Sequence, residues 1–234
     1  MTTEHYDASY YRRFANRFRP AGSSPSDRST ARWVAKHAPA HHTAIEVGSG
    51  LCVQAQRLTR YFTTVIASDI SDPFVAAPSR PGVSRARASA QNLPFASGSA
   101  DALLAIDTPE HLPDPNAFFA DAHRVLRPQG VLVIRVPNTK SLGARHKRAA
   151  WFAYQDPTHI SLWPPEAWRT ALTRHGFTVL RTGTDTLWDT PYTRRAHLLQ
   201  KLLAASTSRL LLAITPCLPW PYGENLILLA RREN

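Results

Sequence analysis

Short apolar runs alternate with amphipathic stretches through the middle of this chain. Five strand-like runs, the first beginning at Ile45 and the last ending at Val136, are separated by helical patterns such as residues 51–62. Because repeated strand–helix units form parallel sheets with right-handed crossovers, the pattern predicts an α/β fold. Ligands of such sheets bind at the carboxyl ends of the strands. We therefore expect the functional residues along one rim of the sheet.

The residues on either side of these runs complete the predicted domain. An aromatic stripe at helical spacing predicts an N-terminal helix over 7–18, and the long segment 138–163 is expected to hold short helices and to wall a pocket. The other predicted elements are a core helix at 27–36 with Asp27 as its N-cap, a helix begun by Pro164 and Pro165 and ended by Gly176, a sixth strand at 177–181, an apolar helix at 194–214 and a last strand at 224–231.

The chain of 234 residues is long enough for one α/β domain with a full core. We expect residues 1–234 to form a single domain with three parts. Residues 1–43 would supply N-terminal helices and a lid, and residues 44–136 a cofactor-binding half. Residues 137–234 would form a substrate-side half, with a lid insertion at 190–220.

The most informative local signal is the sequence IEVGSG at residues 45–50. An apolar run containing Glu46 leads directly into a Gly-x-Gly turn, in which Gly48 and Gly50 permit positive φ and a close approach of a ligand to the backbone. Asp69 closes the next strand, where its carboxylate can accept hydrogen bonds from both hydroxyls of a ribose. The layout predicts a nucleoside-binding site.

The same segment indicates what else the ligand carries. A dinucleotide site has a third glycine that lets the helix start hold a pyrophosphate, but this chain has Val53 at that position. A carboxylate at Glu46 would repel a pyrophosphate and attract a cation. S-adenosylmethionine carries a ribose and positive charge but no phosphate, and it fits. Here the chain resembles the class I S-adenosylmethionine-dependent methyltransferases, whose first motif is an acid, one residue and Gly-x-Gly.

Later segments resemble landmarks of the same family in the same order. They are residues 91–112 with Leu-Pro-Phe and Glu-His-Leu signatures, residues 123–134 with Arg-Val-Leu-Arg-Pro before a strand, and the sequences DPTH at 156–159 and RHGF at 174–177. The resemblance covers about residues 40–185 and points to the small-molecule branch that includes ubiquinone and menaquinone methyltransferases. It implies a doubly wound, seven-stranded, mostly parallel Rossmann-like sheet with an antiparallel last strand.

The resemblance also implies site residues. The implied cofactor-binding set is Glu46, Gly48, Ser49, Gly50, Asp69, Ile70, Ser89, Ala90, Asp107 and Thr108. The implied acceptor-binding set is Tyr10, Tyr11, Trp151, Tyr154 and Trp163. His159 and His111 are the candidate bases, because an oxygen or nitrogen acceptor with a raised pKa needs a base near the methyl group. An amine acceptor would need no base, and a structural role for each imidazole stays open.

Two positions depart from the family pattern. Ser89 stands where many relatives carry an aspartate for the adenine amino group, so its hydrogen bond would lack charge assistance. Pro109 replaces the usual leucine before Glu-His, which removes an N–H and stiffens the loop. Both changes leave cofactor binding possible and alter the local geometry.

Asp107, Glu110 and His111 form an acid-x-x-Glu-His triplet. It resembles the divalent-cation site of ubiquinone-pathway and small-RNA methyltransferases, and hard oxygens with an imidazole could hold Mg²⁺. Glu-His is also common in relatives without metal, so the sequence assigns no metal here and leaves cation binding by this triplet open.

The net charge of +11 is unevenly distributed. Residues 135–201 carry +7, whereas residues 44–134 carry −1. Since the basic segment covers the substrate in this fold, the charge favours an anionic acceptor or a nucleic acid. A different origin is codon usage, because arginine outnumbers lysine 24 to 4, as high-GC bacterial genomes favour.

Targeting and cysteine signals are weak. Cys52 and Cys217 make neither a disulfide framework nor a zinc pattern. The first residues lack the apolar core of a signal peptide, and the longest apolar run is far short of the roughly 20 residues of a bilayer span. We therefore expect a cytoplasmic protein that is a monomer or homodimer and binds no membrane.

The expected function is transfer of a methyl group from S-adenosylmethionine to an oxygen or nitrogen of a small-molecule acceptor, for example in secondary metabolism, with S-adenosylhomocysteine as product. The first alternative is a nucleic-acid methyltransferase or binder, although no RNA-binding module is visible. A nicotinamide oxidoreductase is disfavoured by Glu46 and by the missing third glycine. A cofactor-binding protein without activity stays open.

Overall fold

The computed structural model describes residues 25–71, 79–185, 215, 217–219 and 221–234, and the side chains from residue 29 onward. The predicted N-terminal helix at 7–18, with Tyr10 and Tyr11, lies outside the described residues. The predicted helix at 194–214, and with it most of the proposed 190–220 insertion, also lies outside them.

Seven strands form one sheet. They are β1 (Thr43–Val47), β2 (Thr64–Asp69), β3 (Val83–Arg87), β4 (Ala100–Ile106), β5 (Leu126–Pro137), β6 (Phe177–Thr184) and β7 (Asn225–Arg232). Their order is β3-β2-β1-β4-β5-β7-β6, and the pairs among the first five strands are parallel. Strand β7 is antiparallel to both of its neighbours. The doubly wound, mostly parallel sheet with an antiparallel last strand is confirmed.

Helices connect the strands. The α-helices are α1 (Pro25–His37), α2 (Val53–Leu58), α3 (Pro115–Val125), α4 (Leu142–Lys147), α5 (Phe152–Gln155) and α6 (Pro165–Arg174), and short 3-10 turns lie at Pro109–His111 and Arg148–Ala150. Segment 138–163 therefore holds short helices, as the sequence predicted. Among the described helices, none is both long enough and apolar enough to cross a bilayer.

Apolar side chains cover both faces of the sheet, because successive residues of a buried strand point to opposite sides. Ile45 and Leu103 pack in a core with helices α3 and α6. Ala44 and Leu104, their chain neighbours, pack in a second core with α1 and α2. Two helical layers therefore enclose the sheet, which leaves its carboxyl rim as the place for a polar site.

Several element boundaries differ from the sequence-based prediction. Helix α1 begins at Pro25, so Asp27 lies in its first turn and is not its N-cap. Helix α2 spans Val53–Leu58 and is shorter than the predicted 51–62; it begins later because Cys52 has a left-handed backbone with φ 57°, and it ends at the Thr59 C-cap. The helix begun by Pro165 and ended before Gly176, which has φ 75°, is confirmed.

Candidate active site at the carboxyl rim of the sheet

The glycine turn after β1 is held by a neighbouring strand. Gly48 and Gly50 have φ values of 67° and 46°, so the predicted left-handed backbone is present. A Cβ atom on Gly48 would lie 2.2 Å from Thr108 Oγ1. That hydroxyl lies 3.2 Å from Val47 O and 3.1 Å from Ile106 O, to which it donates. The close approach that Gly48 permits is therefore to Thr108, which joins the ends of β1 and β4.

We expect Gly48→Ala to destabilise the protein by about 2–4 kcal/mol, since it combines a strained left-handed alanine with a side-chain overlap. The matched control is Gly98→Ala. Gly98 has φ +63° but would place its Cβ at least 4 Å from other atoms, so it tests backbone strain alone and should cost about 1 kcal/mol. Urea denaturation measures both changes, and equal losses would contradict the role given to Thr108.

Two buried carboxylates flank this turn. Glu46 is 4% exposed, and its Oε2 accepts a hydrogen bond of 2.7 Å from the Ala55 backbone N–H. Asp69 is 8% exposed and accepts bonds of 2.8 Å from Gly50 N–H at Oδ2 and from Ser71 N–H at Oδ1. Because each carboxylate oxygen offers two lone pairs, the Asp69 carboxylate, whose oxygens each accept one of these bonds, can accept further bonds from a ligand. The turn and the two acids thus form one preorganised acceptor site.

The other implied cofactor residues lie on the same rim in varied environments. Asp107 has φ 52° and forms a two-point ion pair with Arg135 of β5, through Nε at 2.9 Å and through Nη2. Ser89 Oγ accepts a bond of 3.3 Å from Gln91 N–H. Ser49 and Ala90 are buried and Ile70 is half-buried. The Asp107–Arg135 pair is a feature that the sequence did not predict.

His111 and His159 form a contacting pair. Their ring centroids are 4.7 Å apart. His111 Nδ1 lies 3.2 Å from the Thr158 carbonyl and 3.0 Å from its hydroxyl, and His159 Nδ1 lies 2.9 Å from the Ala153 carbonyl. Since a carbonyl can only accept, each neutral ring carries its proton on Nδ1, which leaves Nε2 as the basic nitrogen. Burial, with the nearby His159 charge second, lowers the pKa of His111 to about 4.

Two acids complete the surroundings of this pair. Asp156 Oδ1 accepts a 2.6 Å bond from the Thr158 hydroxyl, while its Oδ2 lies 3.7 Å from His159 Nε2. Glu110 is 1% exposed, and its Oε2 is buried with no hydrogen-bond partner among the described residues. Burial, with the Asp107 carboxylate second, raises the pKa of Glu110 well above its ordinary value. The segment containing Asp156 thus brings His159 onto the turn after β4.

The implied acceptor-binding aromatics are not equivalent. Trp151 is fully buried, and its indole N–H donates to Glu224 Oε2 at 2.6 Å. Tyr154 is 48% exposed and contacts the edge of Trp151 with ring centroids 4.9 Å apart. Trp163 is half-buried against Trp168. Tyr154 is thus the most exposed of the three, and Trp151 anchors the segment that carries it.

A cavity of about 800 Å³ lies farther along the rim, beside the ends of β5 and β6 and the start of β7. Its lining includes Lys140, Arg145 and Arg169, together with Glu166, which pairs with Lys140 at 2.9 Å. The Arg145 guanidinium lies 5.0 Å from the centre of the Tyr222 ring. The basic charge that the sequence places in this half is therefore partly collected around one small-molecule-sized cavity.

Sequence reasoning missed three residues of this region. Asp156 and Thr158 were recognised only as part of a family landmark, although the Asp-x-Thr-His spacing is short enough for one turn to join them. Arg135 gave no local signal, because its contact with Asp107 depends on how β4 and β5 align: Ile106 is opposite Arg135.

Comparisons with known proteins agree with this fold. Residues 45–134 match the family model described as a methyltransferase domain. A curated protein of Mycobacterium sp. strain KMS, described as an uncharacterized methyltransferase, is 33% identical over 98 residues, which are 41% of this chain and 39% of that protein. The chain thus spans about two fifths of the length of the curated relatives it matches.

Solved structures extend the likeness over the whole chain. A chain from the complex between the Haloferax volcanii Trm112 methyltransferase activator and a methyltransferase is 16% identical, with TM-score 0.69 and coverage of 100% of this chain and 98% of that one. The [4+2]-cyclase SpnF is 18% identical, with TM-score 0.61 and coverage of 88% and 80%. At these identities the likeness shows the fold alone, a Rossmann-like fold that this chain shares with these structures.

Proposed function

We propose that this protein binds S-adenosylmethionine at the glycine turn and transfers its methyl group to a small molecule. One observation carries the proposal: two buried carboxylates, Glu46 and Asp69, flank a left-handed Gly-x-Gly turn at neighbouring strand ends. Such acceptors fit a ligand that offers ribose hydroxyls and an ammonium group. The methyltransferase-domain match over residues 45–134 supports the same ligand.

Each residue of the site would have a separate role that follows from its position. Asp69 would accept hydrogen bonds from the ribose, and Glu46 would attract the positive end of the ligand. When bound, S-adenosylmethionine supplies an electrophilic methyl group, so the protein contributes mainly orientation and exclusion of water. His159 would take the acceptor's proton on Nε2, and Asp156, 3.7 Å away, would stabilise the resulting imidazolium. The ring of His111 would hold the His159 ring in place through the contact between them.

The acceptor we propose is a small anionic molecule. The cavity of about 800 Å³ has the volume of a small-molecule site, and its lysine and arginines suit an anion. Its lining includes neither Glu46 and Asp69 nor His159, so we assign it to the anionic end of the acceptor and not to the nucleoside or the reacting atom. Roles for Tyr10, Tyr11 and the 190–220 insertion in covering the acceptor stay predictions, as do the single-domain organisation, the cytoplasmic location and the oligomeric state.

Asp69→Ala should weaken S-adenosylhomocysteine binding by about 1–3 kcal/mol, because a ribose hydroxyl loses its partner. Isothermal titration calorimetry measures the loss. The matched control is Asp114→Ala, since Asp114 is exposed and its carboxylate accepts a 3.0 Å bond from Asn116 N–H at the start of α3. Unchanged affinity in Asp69→Ala, or tighter binding of NADH than of S-adenosylhomocysteine, would refute the cofactor assignment.

The acceptor can be sought directly. The purified protein, incubated with isotopically methyl-labelled S-adenosylmethionine and a metabolite extract, should yield a labelled small molecule detectable by mass spectrometry. Filter binding to mixed RNA and DNA at about 150 mM salt provides the contrast, because weak unspecific phosphate contacts fade there. Submicromolar binding in that assay, with label recovered in RNA, would replace the small-molecule proposal by the nucleic-acid one.

A further inference from the structure

The cluster formed by Glu110, His111 and His159 has the composition of a transition-metal site. Each residue offers one ligand atom, and these three atoms lie within 4.8 Å of one another. The cluster differs from the Asp107, Glu110 and His111 triplet of the sequence, because Asp107 forms a two-point ion pair with Arg135. His159 takes the place of Asp107 beside the other two residues.

Both imidazoles are oriented as metal-ligating histidines usually are. Such histidines donate the N–H that faces away from the metal to a carbonyl, carboxylate or water, which fixes the ring and its tautomer. Here Nδ1 of His111 faces the Thr158 carbonyl at 3.2 Å, and Nδ1 of His159 faces the Ala153 carbonyl at 2.9 Å. Both rings therefore present Nε2 as the coordinating atom.

The carboxyl of Glu110 supplies an independent observation. It is 1% exposed, and its Oε2 has no hydrogen-bond partner among the described residues. A buried carboxyl oxygen without a partner is costly unless a hydrogen-bond donor or a cation satisfies it. Since this oxygen belongs to the same cluster as the two imidazoles, a cation there would satisfy the acid and use both nitrogens.

We propose that Glu110, His111 and His159 bind one divalent transition-metal ion, with Zn²⁺, Mn²⁺ and Fe²⁺ preferred over Mg²⁺. Two imidazoles and one carboxylate are the ligands of catalytic zinc and non-haem iron sites, whereas Mg²⁺ favours carboxylates and water. A tetrahedral ion about 2.1 Å from each ligand holds the ligand atoms about 3.4 Å apart. The ligand atoms, now within 4.8 Å of one another, would therefore draw together by about 1.4 Å or less on binding the ion.

The proposal concerns metal binding and does not rest on methyl transfer. The ion would occupy the lone pair through which His159 would accept a proton, so base action and metal ligation are alternative states of one cluster. In the loaded state, the ion would act as a Lewis acid on an acceptor oxygen.

The test is equilibrium binding to the full-length chain after chelator treatment. Calorimetry with Zn²⁺ and with Mg²⁺, and visible absorption with Co²⁺ as a spectroscopic probe, should show one strong site for Zn²⁺ and Co²⁺ and weak binding of Mg²⁺. Glu110→Gln and His159→Asn should each lower Zn²⁺ affinity by more than about 100-fold, since changes outside the ligand shell already cost 10–100-fold.

The matched control is His146→Asn. His146 is exposed and lies outside the cluster, and its Nδ1 contacts the Leu142 carbonyl of its own helix at 3.0 Å. This variant should bind Zn²⁺ like the wild type, which excludes adventitious surface histidines. Circular dichroism and S-adenosylhomocysteine binding verify that each variant folds and keeps the cofactor site. No stoichiometric Zn²⁺ binding by the wild type, or equal affinity in folded His159→Asn and wild type, would overturn the proposal.

Discussion

His159→Asn should lower turnover by about 10²–10⁴-fold while leaving S-adenosylhomocysteine affinity nearly unchanged. Asparagine keeps a side-chain N–H for the Ala153 carbonyl, which His159 contacts at 2.9 Å, but it has no basic nitrogen. The Asp156 carboxylate, 3.7 Å from Nε2, would then have no imidazolium to stabilise. Steady-state rates, normalised to the folded fraction, measure the effect once an acceptor is known.

His146→Asn is the control, because it removes an exposed imidazole outside the site. Both variants and the wild type should be assayed with and without a chelator. A base role requires that the wild type stays active in the chelator and that the loss in His159→Asn persists there. If the chelator inactivates the wild type, the bound cation and not a basic His159 would be needed for turnover. Loss of stability with intact activity per folded molecule would make His159 a structural residue.

The fold was largely predictable from the sequence because strand burial leaves a strong pattern. Continuous apolar runs such as 131–134 mark buried parallel strands, and their alternation with helices fixes the sheet class. Boundaries were less predictable. Leu51 and Cys52 read as the start of a helix, but the left-handed backbone of Cys52 keeps them in the loop. A local propensity pattern does not contain that information.

The candidate site was predictable where one local motif carries it and not where distant segments meet. Gly48, Gly50 and Asp69 follow from the strand–turn–helix layout. The Asp107–Arg135 pair depends on the alignment of β4 with β5. The buried position of Trp151 depends on Glu224, whose carboxylate accepts a hydrogen bond from the indole N–H. In a long segment, the sequence does not distinguish an aromatic residue that lines a pocket from one that packs in the interior.

A buried acid at the opposite end of the sheet shows the same limit. Asp101 stands at the start of β4 and is fully buried. Its Oδ2 accepts backbone bonds from His42 at 2.9 Å and Thr43 at 2.8 Å, and its Oδ1 pairs with Arg127 Nη1 at 2.9 Å. The carboxylate thus fastens the entry of β1 to β4 and to the corner before β5. In the sequence it is only a polar interruption before an apolar run.

Asp101→Ala should therefore lower the free energy of unfolding by about 2–4 kcal/mol, since each unsatisfied backbone donor costs about 1–3 kcal/mol, whereas the Arg127 side chain, 39% exposed, is partly solvated and adds little. Two backbone N–H groups and the Arg127 guanidinium would lose their acceptor together. Asp114→Ala is the control, because it removes a single exposed N-cap bond and should cost about 1 kcal/mol. Urea denaturation followed by circular dichroism measures both. Asp101 would not be the anchor described here if its loss cost no more than that of Asp114.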